Sequence, residues 1–397
     1  MRPASLLRSA ALALLLTTAP LVGLHAQDAG GACHAPEAGA PCDGSGPASL
    51  GSTSGVDLGA GNPINVVSGN KYQMEVDLPA LPGELGLEIV RHYNSASRHV
   101  VGQLGMGWRL SYETDLYRVG PSVQVLQADG RRLSFAIDPE NPNHCAGSDP
   151  AQGWIEILDA GTRHSGYVWH WTHGPHAGRQ LRFDASGKLV QIRAASGALL
   201  TLRRGLRGEL LQVTDPQGRS LIVNHGGELS AQRARREGQV AVFTGIKRID
   251  SPVGRFEYRH GQPPVEGEAD ADAARGRAQA ANLSEVLQPD AGGQRITRRY
   301  HYEDSRHRQA LTGISVQGTG SDGESIDERI ATYAYDEQGR AIISQRGAQQ
   351  VSLQYLEPAL PTREGATLLT NSLGEQTLYR HRVLGGEYRL TEALGAG

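Results

Sequence analysis

Apolar and polar residues alternate along the chain from about residue 61 onward. Every second residue from Tyr72 to Leu78 is apolar, and Pro79, Pro82 and Gly83 then interrupt the pattern. A period of two residues is typical of a β-strand with one buried face. The pattern therefore predicts a half-buried strand here, and its continuation through residues 85–93 predicts a second one.

Glycines divide the middle of the chain into short segments of about ten residues. The segments between them contain short apolar or alternating runs, as at Leu189–Ile192 and Leu210–Val213. Strands repeated every 8 to 12 residues between turn residues are typical of an antiparallel all-β fold. The glycines that show this spacing are Gly187, Gly197, Gly208, Gly218 and Gly227.

A four-residue motif, Asx-x-x-Gly, recurs at intervals of about 31 to 35 residues. An Asx side chain accepts hydrogen bonds from backbone N–H groups of a turn, and glycine adopts the positive φ that such turns require. The motif therefore predicts structural turns of a repeat array. Its members are Asp184–Gly187, Asp215–Gly218, Asp336–Gly339 (directly after Tyr335) and Asn371–Gly374, with Asp250–Gly254 as a longer relative.

The composition supports a strand-rich protein. The 397 residues include 51 Gly and 20 Pro, with 39% hydrophobic and 20% charged residues. The chain has no Gly-X-Y period, which excludes collagen. Its high glycine content also excludes coiled coils and helical bundles. The Ala-rich, charged segment 262–281 interrupts the repeats, and we interpret it as a loop insertion.

The first 60 residues are interpreted as lying outside the fold. Arg2 and Arg8 precede an apolar run, and a small-residue cleavage site ends at Ala26, so residues 1–26 are typical of a signal peptide. An uncleaved anchor is the alternative. Residues 27–60 are rich in Gly, Ala, Ser and Pro and predict a flexible leader. We expect export to the periplasm, cell surface or medium, with no spanning segment after signal removal.

Net charge and cysteine content limit the partners and the covalent or metal sites that the protein can have. The formal net charge is −3, so no basic field is present to hold nucleic acid. An oxidising compartment would permit a disulfide between Cys33 and Cys42. A metal site that uses these cysteines with His34 and His144 is the alternative, although its spacing matches no zinc pattern.

Five segments resemble Rhs proteins. The segments GNPINVVSGNKYQMEVDL, LGLEIVRHYNS and GQLGMGW are similar to the Rhs N-terminal domain. The segments RRYHYEDSRHRQALTGIS and ATYAYDEQGRAIIS resemble Rhs/YD repeats, with Tyr335-Asp336 as the name-giving pair. The resemblance places an N-terminal domain at 61–140 and a repeat region at 141–397.

The resemblance implies a β-ribbon that winds into a hollow shell around a C-terminal toxin. It therefore implies a non-enzymatic scaffold of interbacterial competition, built from antiparallel strand-turn-strand repeats in a curved or wound sheet. Family shells are much longer than this chain, so we expect an incomplete shell whose partners are further repeats or a toxin domain.

Candidate chemistry is sparse. We find no zinc helix, phosphate-binding loop or nucleophile elbow, and we expect neither catalysis nor a cofactor. Trp169 and Trp171 predict either core packing or a sugar-stacking platform, and the second reading would make the protein a secreted carbohydrate- or cell-surface-binding protein. His170, His173 and His176, with His164 nearby, are the alternative for a metal-dependent hydrolase. We interpret residues 91–94 as an ordered strand end.

Overall fold

The computed structural model describes residues 59–60, 64–147, 149–159, 165–226, 243–261, 280–290, 294–319, 323–356, 364–384 and 387–395. The predicted signal peptide, the disulfide pair Cys33 and Cys42, His164, nearly all of the leader and most of the 262–281 insertion lie outside these residues. No helix in the described ranges is long and apolar enough to cross a membrane.

The described chain is almost entirely β-structure, which confirms the predicted all-β class. Two single-turn 3-10 helices lie at Ser95–Ser97 and Pro150–Gln152. The strands are β1 (Gly59–Ala60), β2 (Ile64–Asn65), β3 (Tyr72–Leu78), β4 (Ile89–Asn94), β5 (Val101–Gly102), β6 (Gly105–Met106), β7 (Trp108–Leu110), β8 (Asp115–Val119), β9 (Ser122–Leu126), β10 (Arg132–Ile137), β11 (His144–Gly147), β12 (Trp154–Leu158), β13 (Gly166–His170), β14 (Gln180–Phe183), β15 (Leu189–Arg193), β16 (Leu199–Arg204), β17 (Leu210–Thr214), β18 (Ser220–His225), β19 (Ile246–Ser251), β20 (Gly254–His260), β21 (Leu283–Leu287), β22 (Thr297–His301), β23 (Gly313–Thr319), β24 (Ser325–Tyr335), β25 (Ala341–Arg346), β26 (Gln349–Leu356), β27 (Glu364–Asn371), β28 (Gln376–Leu384) and β29 (Glu387–Gly395).

Strands β8 to β29 form one antiparallel sheet, here called the wall. Each strand pairs with the next one in sequence, from β8–β9 to β28–β29. The free side of β8 returns to the turn before β15, where Asp115 bridges Lys188 and the Leu116 N–H donates to the Gly187 carbonyl at 2.9 Å. The sheet therefore winds back onto its own first strand. The described strands β8 and β29 share no pairing register.

A second, three-stranded sheet packs against the wall. It has the order β3-β4-β7 and is here called the first sheet. One hydrophobic core extends from Ile64 through Trp108 and Trp169 to Leu369, with residues from both sheets. Since β8 to β10 pair with later strands, the wall begins inside the segment 61–140.

The predicted Asx turns have a common geometry. In the turn at Asp336, Oδ1 accepts the N–H groups of Gln338 and Arg340 at 3.0 and 2.8 Å, and the Gly339 N–H donates to the Asp336 carbonyl at 3.1 Å. The four glycines have φ between +77° and +82°. This is a three-residue hairpin loop with glycine in the left-handed region. The other members are at Asp184, Asp215 and Asn371.

The Asp250 turn differs from the predicted relative. It is a tight hairpin in which Ser251 pairs with Gly254, and the Ser251 hydroxyl bonds the turn backbone. The Asp250 carboxylate instead forms ion pairs with Arg248 and Arg255 at 2.9 Å. The two-residue loop leaves no place for the Asx side chain to accept the N–H groups of the turn. The turn with the longer spacing from Asx to Gly therefore differs from the other four.

Strand β3 is half-buried as predicted, but its buried face is the polar one. Gln73, Glu75 and Asp77 are buried, whereas Met74 and Val76 are 43% and 37% exposed. Polar side chains are buried at this density only when partners satisfy them. The interior therefore has to supply matching groups to β3.

Candidate functional site: the interface between the first sheet and the wall

Three wall tyrosines hydrogen-bond the polar face of β3. The hydroxyls of Tyr258 and Tyr300 donate to Asp77 at 3.0 Å and to Glu75 at 3.3 Å. These tyrosines lie on β20 and β22. On β24, the Tyr333 hydroxyl donates to the Gln73 side-chain oxygen at 3.0 Å. Alternate wall strands thus meet alternate residues of β3.

Arg91 of β4 is the central cation of this interface. Its guanidinium makes two hydrogen bonds to Asp77, at 2.6 and 2.8 Å, and both side chains are fully buried. The rings of Trp108, Tyr258 and Tyr300 surround it at 5.0 to 5.9 Å. Burial would lower the pKa of Arg91, but Asp77, Tyr300 and Glu75 together raise it well above its ordinary value. Arg91 is therefore a cation in the folded protein.

Glu75 and Lys71 add one acidic and one basic side chain to the polar face of this interface. Burial would raise the pKa of Glu75, but Arg298, to which it is hydrogen-bonded, and Arg91 together lower it. Burial lowers the pKa of Lys71 well below its ordinary value. The Lys71 ammonium donates to Gln73 at 3.2 Å and lies 4.4 Å from the centre of the Tyr333 ring.

Aromatic residues of the first sheet add further contacts. Trp108 Nε1 donates to the Tyr302 hydroxyl at 2.9 Å, and Tyr93 donates to the Gln309 carbonyl at 2.9 Å while it accepts from the Leu311 N–H. A Cβ on Gly107 would lie 2.8 Å from the Tyr93 ring. Glycine at position 107 therefore permits the close approach of the Tyr93 ring.

The basic residues after three repeat turns contact the N-terminal part of the chain. Lys188 donates to Asp115 at 2.8 Å, and Arg219 donates to the Pro82 carbonyl at 2.8 Å. After Arg340, the Ala341 N–H donates to the Gly69 carbonyl at 2.8 Å. The Asn371 turn carries Glu375 at this position, and its carboxylate accepts from Asn371 itself. Three of the repeat turns thus both reverse the chain direction and contact the N-terminal part of the chain.

Hydrogen bonds from the wall tyrosines and the Glu75–Arg298 ion pair hold the two sheets together, whereas the Arg91–Asp77 pair lies within the first sheet. Each buried carboxylate of β3 faces a guanidinium and a tyrosine hydroxyl, so neither is available to a water-borne substrate. Within the described ranges, no group of three or more His, Cys, Asp or Glu side chains could hold a metal ion. The interface therefore supports specific binding of strand β3 to the wall.

The candidate site residues predicted from sequence lie elsewhere. Trp169 and Trp171 are 2% and 7% exposed and meet edge to face at 5.3 Å, with Trp169 Nε1 donating to the Gln152 carbonyl. Neither indole offers a face to solvent, so the pair packs in the core and a sugar ring has no access to it. The exposed geometry that a stacking platform requires is absent at these two residues.

The described histidines of the predicted cluster have separate partners. His170 bonds Glu156 at 3.0 Å and stacks on Trp154. His173 bonds Thr172, and His176 bonds Arg179. The structure does not bring these three imidazoles to one point.

The sequence pattern did not reveal the interface itself. Arg91 was placed at an ordered strand end, and it does lie in β4, but its pairing with Asp77 was not expected. The available signal was the alternation of Gln73, Glu75 and Asp77 in a strand that a Tyr-rich repeat region follows.

Residues 61–135 match a family model described as a domain of unknown function (DUF6531). The matched segment contains the whole first sheet, the first two wall strands and the first four residues of β10. No curated protein matches the sequence.

Solved structures of toxin complexes resemble the chain at low identity. One is a TcdB2-TccC3-Cdc42 complex, with 9% identity, a TM-score of 0.22, and coverage of 79% of this chain and 20% of that one. Another is a Tc holotoxin pore from Photorhabdus luminescens, with 10% identity, a TM-score of 0.23, and coverage of 83% and 21%. The chain thus spans about a fifth of their length, and TM-scores this low do not establish a shared overall fold.

Proposed function

We propose that this protein is a structural scaffold, the first part of a wound β-container of the Rhs/YD-repeat type. The observation that carries the proposal is the unbroken antiparallel pairing from β8 to β29, together with the bridge between Asp115 of β8 and Lys188 in the turn before β15. The resemblance of residues 61–140 to the Rhs N-terminal domain supports it. In this proposal the chain performs no reaction of its own.

We further propose that the container encloses a toxin and is exported by the signal peptide at residues 1–26. Additional repeats or a toxin domain would be the partners, and the edge of β29 is where a further strand would add. Among the described residues, β29 is paired only with β28. An edge of this kind pairs readily with another strand.

The complete product of the gene, purified from the organism that makes it, tests this function. Electron microscopy is expected to show a closed shell, and limited proteolysis is expected to spare a domain inside it. A secreted protein that ends with these repeats and encloses nothing would contradict the proposal.

Carbohydrate binding is the weaker alternative. Its motivation was the pair Trp169 and Trp171, which the structure buries. No feature of the described residues replaces that platform.

A further inference from the structure

The N-terminal segment 66–84, here called the spine, crosses the wall in strict order. Contacts at its C-terminal end involve early wall turns: the Ser196 hydroxyl donates to Glu84 at 2.5 Å, and Arg219 donates to the Pro82 carbonyl at 2.8 Å. Contacts at its N-terminal end involve late strands, since the Thr367 hydroxyl donates to the Val66 carbonyl at 2.6 Å.

The intermediate contacts keep the same order. As the residue number of the wall partner rises, the residue number of the spine partner falls at every step. The series of wall and spine partners is Ser196 and Glu84, Arg219 and Pro82, Tyr258 and Asp77, Tyr300 and Glu75, Tyr333 and Gln73, Ala341 and Gly69, and Thr367 and Val66.

The fully extended length of the spine is an upper limit on the width of sheet that it can cross, since residues 66–68 form a turn and only residues 72–78 are a strand. An extended segment rises about 3.3 Å per residue, so residues 66–84 span at most about 60 Å. Neighbouring strands lie about 4.8 Å apart, so the twelve steps from β15 to β27 cover about 58 Å. Contact along the whole of this part of the wall therefore stays within this limit.

We propose that the spine sets the order and spacing in which the wall strands stack, so that it acts as an internal template for the winding of the wall. The inference rests on the proposed scaffold role. Its specificity comes from β3, where Gln73, Glu75 and Asp77 each accept one tyrosine hydroxyl from a different wall strand. A strand shifted by one residue would present Met74 and Val76 to these hydroxyls and leave carboxylates outside.

Chain order favours this assignment. The spine precedes its partners by 181 residues at Tyr258 and by 260 residues at Tyr333. It is therefore synthesised before the strands that it contacts, and each new strand of the wall meets the next free position of the spine.

Hydrogen exchange of the full chain, followed by mass spectrometry, tests the template. The test variant is Tyr258→Phe with Tyr300→Phe and Tyr333→Phe, which keeps the rings and removes the hydroxyls. The matched control is Tyr335→Phe, since that hydroxyl donates to the Leu311 carbonyl, outside the spine, at 2.7 Å. If the triple variant does not fold, Tyr258→Phe alone replaces it.

Faster exchange at residues 72–78, by at least about tenfold, with unchanged exchange in β12 to β18, is the expected result for the test variant. The control is expected to leave residues 72–78 unchanged. Equal acceleration in every strand, no acceleration at residues 72–78, or the same acceleration in the control would overturn the template. A failure of enclosure in the complete gene product would not produce any of these exchange patterns, so the two proposals fail separately.

Discussion

The Tyr300 hydroxyl lies 2.6 Å from Nη2 of Arg91, although the two residues are 209 positions apart in the chain. A repeat residue thus accepts a hydrogen bond from a buried cation in the first sheet. The fold of the N-terminal segment and the fold of the repeats are therefore interdependent, and several measurable consequences arise from this.

Removing the Arg91 charge should destabilise the protein strongly. Arg91→Met leaves Asp77 buried without its cation, and the loss of one partner from a buried pair costs about 3 to 5 kcal/mol. Urea unfolding measures the change. The matched control is Arg259→Met, because Arg259 is largely exposed and pairs with Glu285 at 3.1 Å; about 1 kcal/mol or less is expected there. Similar losses in both variants would contradict a large contribution of the buried Arg91–Asp77 pair to stability.

Two glycines with the same backbone angle should respond differently to alanine. Gly187 and Gly218 have φ of +77° and +80°. Open space surrounds a Cβ at Gly218, so Gly218→Ala should cost only the strain, about 1 to 2 kcal/mol. A Cβ at Gly187 would lie 1.9 Å from the Leu116 carbonyl oxygen of β8. Gly187→Ala should therefore cost clearly more in the free energy of unfolding, and equal costs would argue against contact between this turn and β8.

These two glycines also show what the sequence could predict. The turns, their glycines and the all-β class depend on local chemistry within four or five residues, and the structure has such turns at Asp184, Asp215, Asp336 and Asn371. The buried polar face of β3 could not be predicted, since its partners lie 181 to 260 residues away. Local alternation gives the period of a strand, whereas the face that is buried depends on what the rest of the chain places there.

Stability should fall as the pH decreases from 6.5 to 5. Burial, with Arg109 and Arg91, lowers the pKa of His92 to about 3, and burial, with Lys247, lowers that of His260 to about 3. In this window the unfolded chain binds protons at both positions and the folded chain does not. Each histidine then contributes a loss of up to ~1.4 kcal/mol per pH unit.

Denaturant unfolding at pH 7, 6 and 5 measures this slope. His92→Gln removes one of the two titrating groups, so its slope should be shallower than that of the parent protein. A free energy of unfolding that is constant from pH 7 to pH 5 would contradict the burial of these imidazoles.

The cysteines give a simple chemical check. Cys145 is buried, and burial raises the pKa of its thiol to about 11. If Cys33 and Cys42 form the predicted disulfide, the folded protein should react with no thiol reagent at pH 8 and the unfolded protein should titrate one thiol. Two fast-reacting thiols in the folded protein would exclude the disulfide, and three would also contradict the burial of Cys145.

The winding of the wall onto its first strand can be tested by a zero-length carbodiimide cross-link. The sequence has three lysines, Lys71, Lys188 and Lys247, and Lys188 Nζ lies 2.8 Å from Asp115, 73 positions away. Mass spectrometry of the folded monomer is expected to find an amide bond between Lys188 and Asp115. Lys188→Arg, which keeps the charge but forms no such bond, should abolish it. A folded monomer in which Lys188 reacts only with carboxylates other than Asp115 would contradict the wound wall.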